Sequence, residues 1–375
     1  MATVYFHIPF CKQRCTYCDF YTEVAPQHID TYIDTMVAEL HARQNYLPEN
    51  ETISSIYFGG GTPSLLSAQH FGKIFNAVNQ LFMLEKNVEI TLEANPDDLT
   101  ENYFREIKNL SFNRLSIGIQ SFNNELLKKI NRRHTAQQAV QAVQLAKQHG
   151  FTNISIDLIF GLPAQILSDW KNELETAFSL NIQHISAYGL AYEEGTPLWT
   201  SRERGEIAET DEQTMNEMYL LLLQIAENQK FEHYEISNFA QCGFRSRHNS
   251  AYWSGAKYLG IGAAAHSFDG ANRQWNTASI KQYIAAVTKN APFFEKEILT
   301  ETDRYNEYVM VALRTAEGVD FEYITKNFNQ KFSDCLLKNI QKFILTKKIK
   351  TAKNRYLLTP EGILISNKII AEIMM

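Results

Sequence analysis

The chain has 375 residues, of which 45% are hydrophobic and 21% charged, proportions typical of a globular protein with two or three domains. Thirty-six Lys and Arg against 42 Asp and Glu give a net charge of −6, which argues against nucleic acid as the main partner. No apolar run approaches the ~18 residues of a membrane span. The first residues do not resemble a signal peptide, so we expect a cytoplasmic protein.

Short apolar segments alternate with helical patterns through about the first 200 residues. Six segments predict strands, at Val4–Ile8, Ile53–Phe58, Val88–Leu92, Leu115–Ile119, Ile154–Phe160 and Ile185–Leu190. Helical periodicity lies between them, over about 28–47, 67–82, 101–110, 135–150 and 168–180. This alternation indicates an α/β fold with a parallel sheet, and we expect a partial (β/α)6 barrel over residues 1–200. The chemistry of such folds lies at the carboxyl ends of the strands.

The alternation stops near residue 200, and residues 201–295 predict an α+β extension. A helix is expected over about 210–229, beginning at a T-x-x-Q capping box on Thr210. A strand is expected at Tyr234–Ile236. A polar and aromatic loop then carries the block HNSAYW, residues 248–253.

Residues 296–375 predict a small, mainly helical domain of winged-helix type, with a β-hairpin at Ile349–Leu358. Basic residues lie on or near this hairpin, namely Lys347, Lys348, Lys350, Lys353 and Arg355. They leave nucleic-acid binding open as an alternative. The acidic whole chain favours a solvated hairpin edge that resists aggregation.

Three of the five cysteines lie within eight residues, in the pattern Cys11-x3-Cys15-x2-Cys18 directly after the first predicted strand. A four-iron cluster normally takes four cysteines, so three would leave one iron with an open position. Zinc is the alternative, but zinc sites usually combine two separated ligand pairs. No second pair is present here, although His7 could be recruited.

The segment HIPFCKQRCTYCDF, followed by GGGTP at residues 59–63, resembles the radical S-adenosylmethionine enzymes. The chain is most similar to their coproporphyrinogen-oxidase-like branch, and within it to the HemW heme chaperones. The similarity extends nearly end to end, through blocks such as ITLEANPDDL, RLSIGIQSF, HISAYGLAYEEGTPL and YLGIGAAAHS. It implies a radical S-adenosylmethionine barrel with a [4Fe-4S] cluster on Cys11, Cys15 and Cys18, and S-adenosylmethionine at the open iron.

The resemblance also implies which residues contact S-adenosylmethionine: Tyr5, Gly60, Gly61, Thr62, Glu93, Gln120, Arg132, Asp157 and Ala191. Carboxylates on apolar strands, such as Glu93 and Asp157, are costly unless a ligand or a neighbouring lysine or arginine satisfies them. Asn131 replaces the glycine that the family places before Arg132. Asparagine is among the few other residues that tolerate left-handed backbone geometry.

Two features distinguish a chaperone from an oxidase within this branch. The oxygen-independent coproporphyrinogen III oxidases carry a further cysteine two places after the third, where this chain has Phe20. The HNSAYW block resembles a motif associated with heme binding, and His248 is the first candidate ligand, since imidazole binds heme iron well. His266 and Cys242 are further candidates. The alternative is a polar turn whose aromatic side chains pack in the core.

The resemblance therefore implies a heme chaperone that binds heme and delivers it to acceptor proteins, respiratory-chain proteins among them. A homodimer and peripheral contact with the inner face of the membrane are implied in the same way. The alternatives are anaerobic decarboxylation of coproporphyrinogen III, and radical chemistry on another substrate.

Overall fold

The computed structural model describes all residues, 1–375. Six parallel strands form the centre of the fold: β1 (Ala2–Ile8), β2 (Thr52–Gly60), β3 (Met83–Ala94), β4 (Arg114–Gln120), β5 (Ile154–Phe160) and β6 (His184–Gly189). They lie side by side in chain order. The predicted partial (β/α)6 barrel is confirmed. It stays open, because β1 and β6 pair with later strands rather than with each other.

The helices that connect these strands are α1 (Ile29–Ala42), α2 (Ala68–Leu81), α3 (Glu101–Ile107), α4 (Asn124–Lys129), α5 (Ala136–Gln148) and α6 (Leu167–Ser179). The capping box before α5 is present, since Thr135 and Gln138 each accept a hydrogen bond from the other's backbone N–H. Helix α4 was not predicted, because six residues are too few to show helical periodicity.

Residues 201–295 extend the same sheet at both edges. The elements after β6 are α7 (Pro197–Glu203), α8 (Glu212–Asn228), β7 (Glu232–Glu235), β8 (Asn238–Ala240), α9 (Arg247–Trp253), β9 (Tyr258–Ile261), β10 (His266–Phe268), β11 (Asn272–Asn276), α10 (Ile280–Thr288) and β12 (Phe294–Ile298). Strands β8 and β7 continue the sheet beyond β6, and β9 to β12 continue it beyond β1, giving twelve strands. A single core of 57 buried residues runs from Ala2 to Phe293. The extension therefore shares its core with the barrel.

Two local predictions in this region were wrong. The HNSAYW block lies on helix α9 rather than in a loop, and the Ser246 side chain caps this helix by accepting a hydrogen bond from the backbone N–H of Asn249. Helix α8 is capped by Asp211, not by Thr210, whose hydroxyl instead donates to the carbonyl of Gly161. Aspartate is at least as effective as threonine at the N-cap of a helix, so the sequence alone did not decide between Thr210 and Asp211.

The C-terminal residues form a second core of 14 buried residues. Its elements are α11 (Glu301–Ala312), β13 (Val319–Asp320), α12 (Phe321–Asn327), α13 (Gln330–Leu345), β14 (Ile349–Ala352), β15 (Arg355–Leu358), α14 (Pro360–Ile363) and α15 (Ser366–Ile373). The predicted hairpin is confirmed as the antiparallel pair β14–β15. No helix of the chain is both long enough and apolar enough to cross a membrane.

Candidate cofactor site

The three clustered cysteines lie in the loop that leaves the carboxyl end of β1. Cys11, Cys15 and Cys18 are free and partly exposed. The base of the loop is closed by backbone hydrogen bonds from Cys11 N to the carbonyl of Glu23 at 3.1 Å and from Glu23 N to the carbonyl of Pro9 at 2.7 Å. The thiols therefore project from one pinned loop.

Two hydrogen-bond donors point at the cysteine sulfurs. The hydroxyl of Thr62 donates to Cys11 Sγ at 3.4 Å, and the guanidinium of Arg132 donates to Cys15 Sγ at 3.5 Å. Burial raises the pKa of Cys11, and it raises the pKa of Cys18 to about 11. These two cysteines are therefore neutral thiols in the isolated chain. A bound metal would deprotonate them, and the donors are placed to stabilise the resulting thiolates.

Glycines allow the loop after β2 to approach the cysteine loop closely. A Cβ on Gly61 would lie 2.8 Å from the carbonyl oxygen of Phe10 and 2.9 Å from that of Ile8. Gly60 has a φ of +108°, and a Cβ there would lie 2.6 Å from the ring of His7. A side chain at Gly61 would push the two loops apart, and one at Gly60 would clash with His7 on β1.

Unpaired polar atoms also mark this region as a ligand site. The side-chain oxygen of Gln120 and Nε of Arg132 are buried without a hydrogen-bond partner. Three free thiols with aimed donors, beside unpaired polar groups, fit a [4Fe-4S] cluster that carries a polar cofactor.

A residue that the sequence reasoning did not assign connects these groups. Asn95, just beyond β3, accepts a hydrogen bond from Arg132 Nη2 at 2.7 Å and donates one to Thr62 Oγ1 at 3.2 Å. Arg132 also donates to the carbonyl of Gly118. Only its position in the sequence could have indicated that Asn95 belongs to the site, because it follows Glu93 at the carboxyl end of a parallel strand.

Asn131 has the backbone geometry expected for a residue that replaces glycine, with a φ of 59°. Its side chain adds contacts that glycine would lack. Oδ1 accepts a hydrogen bond from Gln13 at 2.6 Å, and Nδ2 donates to the carbonyl of Arg14 at 2.8 Å. Asn131 therefore ties the cysteine loop to the end of α4.

The two strand carboxylates face the barrel interior. Glu93 accepts hydrogen bonds from the hydroxyl of Tyr57 at 2.7 Å and from the backbone N–H of Gly60 at 3.2 Å, and burial raises its pKa to about 7. Asp157 accepts one from the hydroxyl of Ser116 at 3.3 Å, and burial raises its pKa as well. Hydroxyl and backbone groups, rather than lysine or arginine, are their hydrogen-bonding partners.

Tyr5 lies on β1 and Ala191 lies just after β6, so the two residues are at opposite edges of the six parallel strands. The hydroxyl of Tyr5 lies 3.0 Å from Nδ1 of His7, and its ring stacks on Tyr57 with centroids 6.2 Å apart. Tyr5 and Glu93 line the same cavity, and the predicted cofactor contact of Tyr5 stays a prediction. Ala191 is exposed just after β6. Its predicted contact stays a prediction.

His248 is enclosed against the ring of Tyr57, with the ring centroids 4.8 Å apart. It is 1% exposed, and its ring nitrogens contact the hydroxyls of Ser55 at 2.9 Å and Tyr252 at 3.2 Å. Burial lowers its pKa to about 3, so the imidazole is neutral. Both nitrogens are engaged, and heme ligation by His248 stays a prediction.

The other candidate heme ligands are open to solvent. His266 begins β10 and stacks on Trp275 with centroids 6.3 Å apart, and Cys242 is exposed in the loop after β8. Phe20, at the position of the additional oxidase cysteine, is 61% exposed.

Comparison with known proteins places these features in a family. The profile of the Radical SAM superfamily matches residues 5–177, and that of the HemN C-terminal domain matches residues 299–365. The chain is 34% identical over 374 residues to the heme chaperone HemW of Lactococcus lactis, covering 100% of this chain and 97% of the relative. It is 33% identical to HemW of Bacillus subtilis, with 98% of each chain covered.

The fold is also that of a solved structure. Coproporphyrinogen III oxidase (HemN) from Escherichia coli superposes with a TM-score of 0.86 at 22% identity, over 100% of this chain and 90% of that one. The two chains therefore share one fold over the full length of this chain, including the strands that flank the barrel.

Proposed function

Because the chain belongs to the HemW family of radical S-adenosylmethionine proteins, we propose that it is a heme chaperone. It holds a [4Fe-4S] cluster and S-adenosylmethionine, and it delivers heme to acceptor proteins. The observation that carries this proposal is similarity over the full length of the chain, since that similarity spans the cysteine loop, helix α9 and the C-terminal domain together.

The residues at the mouth of the barrel have distinct roles in this proposal. Cys11, Cys15 and Cys18 hold the cluster, while Thr62 and Arg132 stabilise the sulfurs by donating hydrogen bonds. When bound, the cluster supplies an electron to S-adenosylmethionine, the chemistry characteristic of the superfamily.

The remaining contacts bind and orient S-adenosylmethionine. Gly60 and Gly61 bring backbone close to it, and Glu93 and Asp157 present carboxylates from β3 and β5. The proposed set is completed by Tyr5, Thr62, Gln120, Arg132 and Ala191.

Heme coordination by His248 requires a local rearrangement of helix α9. One ring nitrogen must leave Ser55 or Tyr252 before it can bind iron. If Nε2 binds the iron, the hydroxyl of Tyr252 is freed at the same time. We propose that this rearrangement accompanies heme binding.

Heme titration of a set of matched variants tests the proposal. We expect His248→Ala to weaken heme binding at least tenfold and to change the Soret spectrum. His266→Ala and Cys242→Ser, which remove the exposed candidates, serve as controls. If His266→Ala abolishes binding and His248→Ala does not, the ligand is His266; absence of heme binding by the wild type contradicts the chaperone function.

An anaerobic assay separates the chaperone from an oxidase. The reconstituted protein is supplied with reductant, S-adenosylmethionine and coproporphyrinogen III. We expect no protoporphyrinogen, because Phe20 stands where the oxidases carry a further cysteine. Product that depends on cofactor cleavage would overturn the proposal.

We also propose that the acceptors include respiratory-chain proteins, that the chain forms a homodimer, and that it contacts the inner face of the membrane peripherally. Heme transfer to purified acceptors, light scattering and vesicle co-sedimentation test these three statements in turn.

A further inference from the structure

A buried carboxylate joins the loops of the barrel mouth without belonging to the cofactor set. It is that of Asp98, in the turn that follows β3, and its side chain is 3% exposed. Oδ1 accepts a hydrogen bond from Nζ of Lys12 at 2.6 Å, and Oδ2 accepts one from the hydroxyl of Ser64 at 2.9 Å. Nη2 of Arg133 lies 3.5 Å from Oδ2. Both oxygens are therefore paired, as a buried charge requires.

Each partner of Asp98 is close in the sequence to a cluster cysteine or to a residue that donates to one. The pairs are Lys12 with Cys11, Ser64 with Thr62, and Arg133 with Arg132. The partners come from three loops, which follow β1, β2 and α4, and Asp98 comes from a fourth. A shift of any of these loops would change the distances between the sulfurs and their donors, so one carboxylate is placed to fix them all.

The contacts of Asp98 differ from those of aspartates that stabilise a single element. Asp211 and Asp320 accept hydrogen bonds from backbone N–H groups of the helices that follow them. The side chain of Asp98 accepts none from the backbone, and all its partners are side chains of other loops. Its contacts therefore act between loops rather than within one turn.

The contact with the cysteine loop depends on Asp98 alone. Arg133 also pairs with Asp97 at 2.7 Å, and Oγ of Ser64 also accepts a hydrogen bond from the backbone N–H of Asn95 at 3.2 Å. The ammonium of Lys12 has no second partner in the chain. Loss of the Asp98 carboxylate would therefore act first on the loop that carries the cysteines.

We propose that Asp98 is a positioning residue for the cysteine loop, which it holds through Lys12 at the distance where Thr62 can donate to Cys11. Asp98 contacts none of the three cysteines itself. A loop that is already fixed in the metal-free chain binds its cluster without first having to be ordered. The cluster rests on the proposed function, whereas the order of the loop does not.

Hydrogen exchange of the metal-free, reduced chain tests the positioning. We expect Asp98→Asn to speed exchange of the backbone amides of Cys11 and Glu23, which close the base of the loop, by about tenfold. Exchange in strand β5 should not change. Asp34→Asn is the matched control, because it breaks a pair with Lys73 between α1 and α2. Unchanged exchange at Cys11 and Glu23 in Asp98→Asn would overturn the proposal.

A double-variant cycle separates positioning from a general loss of stability. Lys12→Met removes the same contact from the other side. We expect the double variant to exchange no faster than Asp98→Asn alone, because the contact can be lost only once. Two effects that multiply would show that Asp98 does not act through Lys12. If Asp98→Asn fails to fold by circular dichroism, Lys12→Met, whose side chain is half-exposed, takes its place with the same expectation.

Iron release to a chelator connects the positioning with the cluster. We expect reconstituted Asp98→Asn to release iron about tenfold faster than the wild type, and Asp34→Asn to match the wild type. Equal rates in Asp98→Asn and the wild type would contradict a role of Asp98 in holding the cluster loop.

This proposal and the proposed function fail in different ways. A wild-type chain that takes up no four-iron cluster contradicts the proposed function, while hydrogen exchange still decides whether Asp98 positions the loop. Unchanged exchange in Asp98→Asn, with normal cluster uptake and retention, contradicts the positioning and leaves the proposed function standing.

Discussion

The ring of Tyr57 stacks on the imidazole of His248, with centroids 4.8 Å apart and planes inclined by 25°. The hydroxyl of the same tyrosine donates a hydrogen bond to Glu93. One side chain therefore contacts both a carboxylate of the proposed cofactor site and the helix that carries the HNSAYW block. The predictions below test this contact, the two loops at the barrel mouth, and the buried carboxylate of Glu173.

Tyr57→Phe keeps the stacked ring and removes the donor to Glu93. Because that hydrogen bond favours the ionised carboxylate, its loss should raise the pKa of Glu93 above about 7. We expect S-adenosylmethionine to bind about tenfold more weakly at pH 7, with a smaller loss at pH 9, where Glu93 is ionised in both proteins.

Equilibrium dialysis of the reconstituted proteins measures this effect. Tyr103→Phe is the control, because its hydroxyl is also buried but lies outside the site and has no partner. A loss of affinity that is equal at both pH values would show that Tyr57 does not act through Glu93.

Asn95→Ala breaks the connection between Arg132 and Thr62. The cysteines remain, so the iron content should be unchanged, whereas affinity for S-adenosylmethionine should fall by about tenfold because Arg132 loses a fixed partner. Iron analysis together with cofactor titration checks both statements. Asn102→Ala, on the exposed face of α3, should change neither quantity; a parallel loss of iron in Asn95→Ala would mean that the residue supports the cluster loop instead.

Substitution of Asn131 separates backbone strain from side-chain contact. Asn131→Gly keeps the φ of 59° without strain but loses the bonds to Gln13 and Arg14. Asn131→Ala loses the same bonds and adds about 1–2 kcal/mol of left-handed strain. We expect both variants to lose iron to a chelator faster than the wild type, and the alanine variant to melt at the lower temperature.

Asn290→Ala provides the matched control for this pair. Asn290 has a φ of 51° at the end of α10, far along the chain from the cysteine loop. The substitution should lower the melting temperature without changing the rate of iron loss. Iron retention by Asn131→Gly equal to that of the wild type would show that the side chain does not hold the loop.

Glu173 on α6 should make stability depend on pH. It is 3% exposed beside the hydroxyl of Ser121, and burial raises its pKa from 4.5 to about 8. The folded state therefore keeps a proton that the unfolded state releases. The stabilisation is fully present below pH 4.5 and is lost as the pH rises through 8.

Glu173→Gln removes the titrating carboxyl group and therefore the loss of stability as the pH rises. We expect the variant to exceed the wild type in free energy of unfolding by on the order of 3 kcal/mol at pH 8, with a much smaller difference at pH 5. Urea unfolding at the two pH values measures it. Glu175→Gln, exposed on the same helix, should show no such change; a difference that does not vary with pH would exclude titration as the cause.

Local sequence patterns were sufficient to predict the cysteine loop and the six parallel strands. The spacing of Cys11, Cys15 and Cys18 places three thiols on one loop independently of the tertiary structure. The strand β5 was predicted at its observed bounds, because buried parallel strands are rich in large apolar residues, which occupy five of its seven positions. The left-handed geometry of Asn131 was expected because the family resemblance places a glycine there, and asparagine is among the few other residues that tolerate this geometry.

Tertiary structure decided what the local patterns left open. The HNSAYW block could be a loop or a helix by its own sequence; its place beside β2 gives His248 the neighbours Ser55 and Tyr57 and encloses the imidazole. Arg114 is one arginine among many until strand pairing buries it in a cavity that Glu93 and Asp157 also line. Such relationships join residues distant in the chain, and the energy of a buried charge depends on those neighbours rather than on the residue itself.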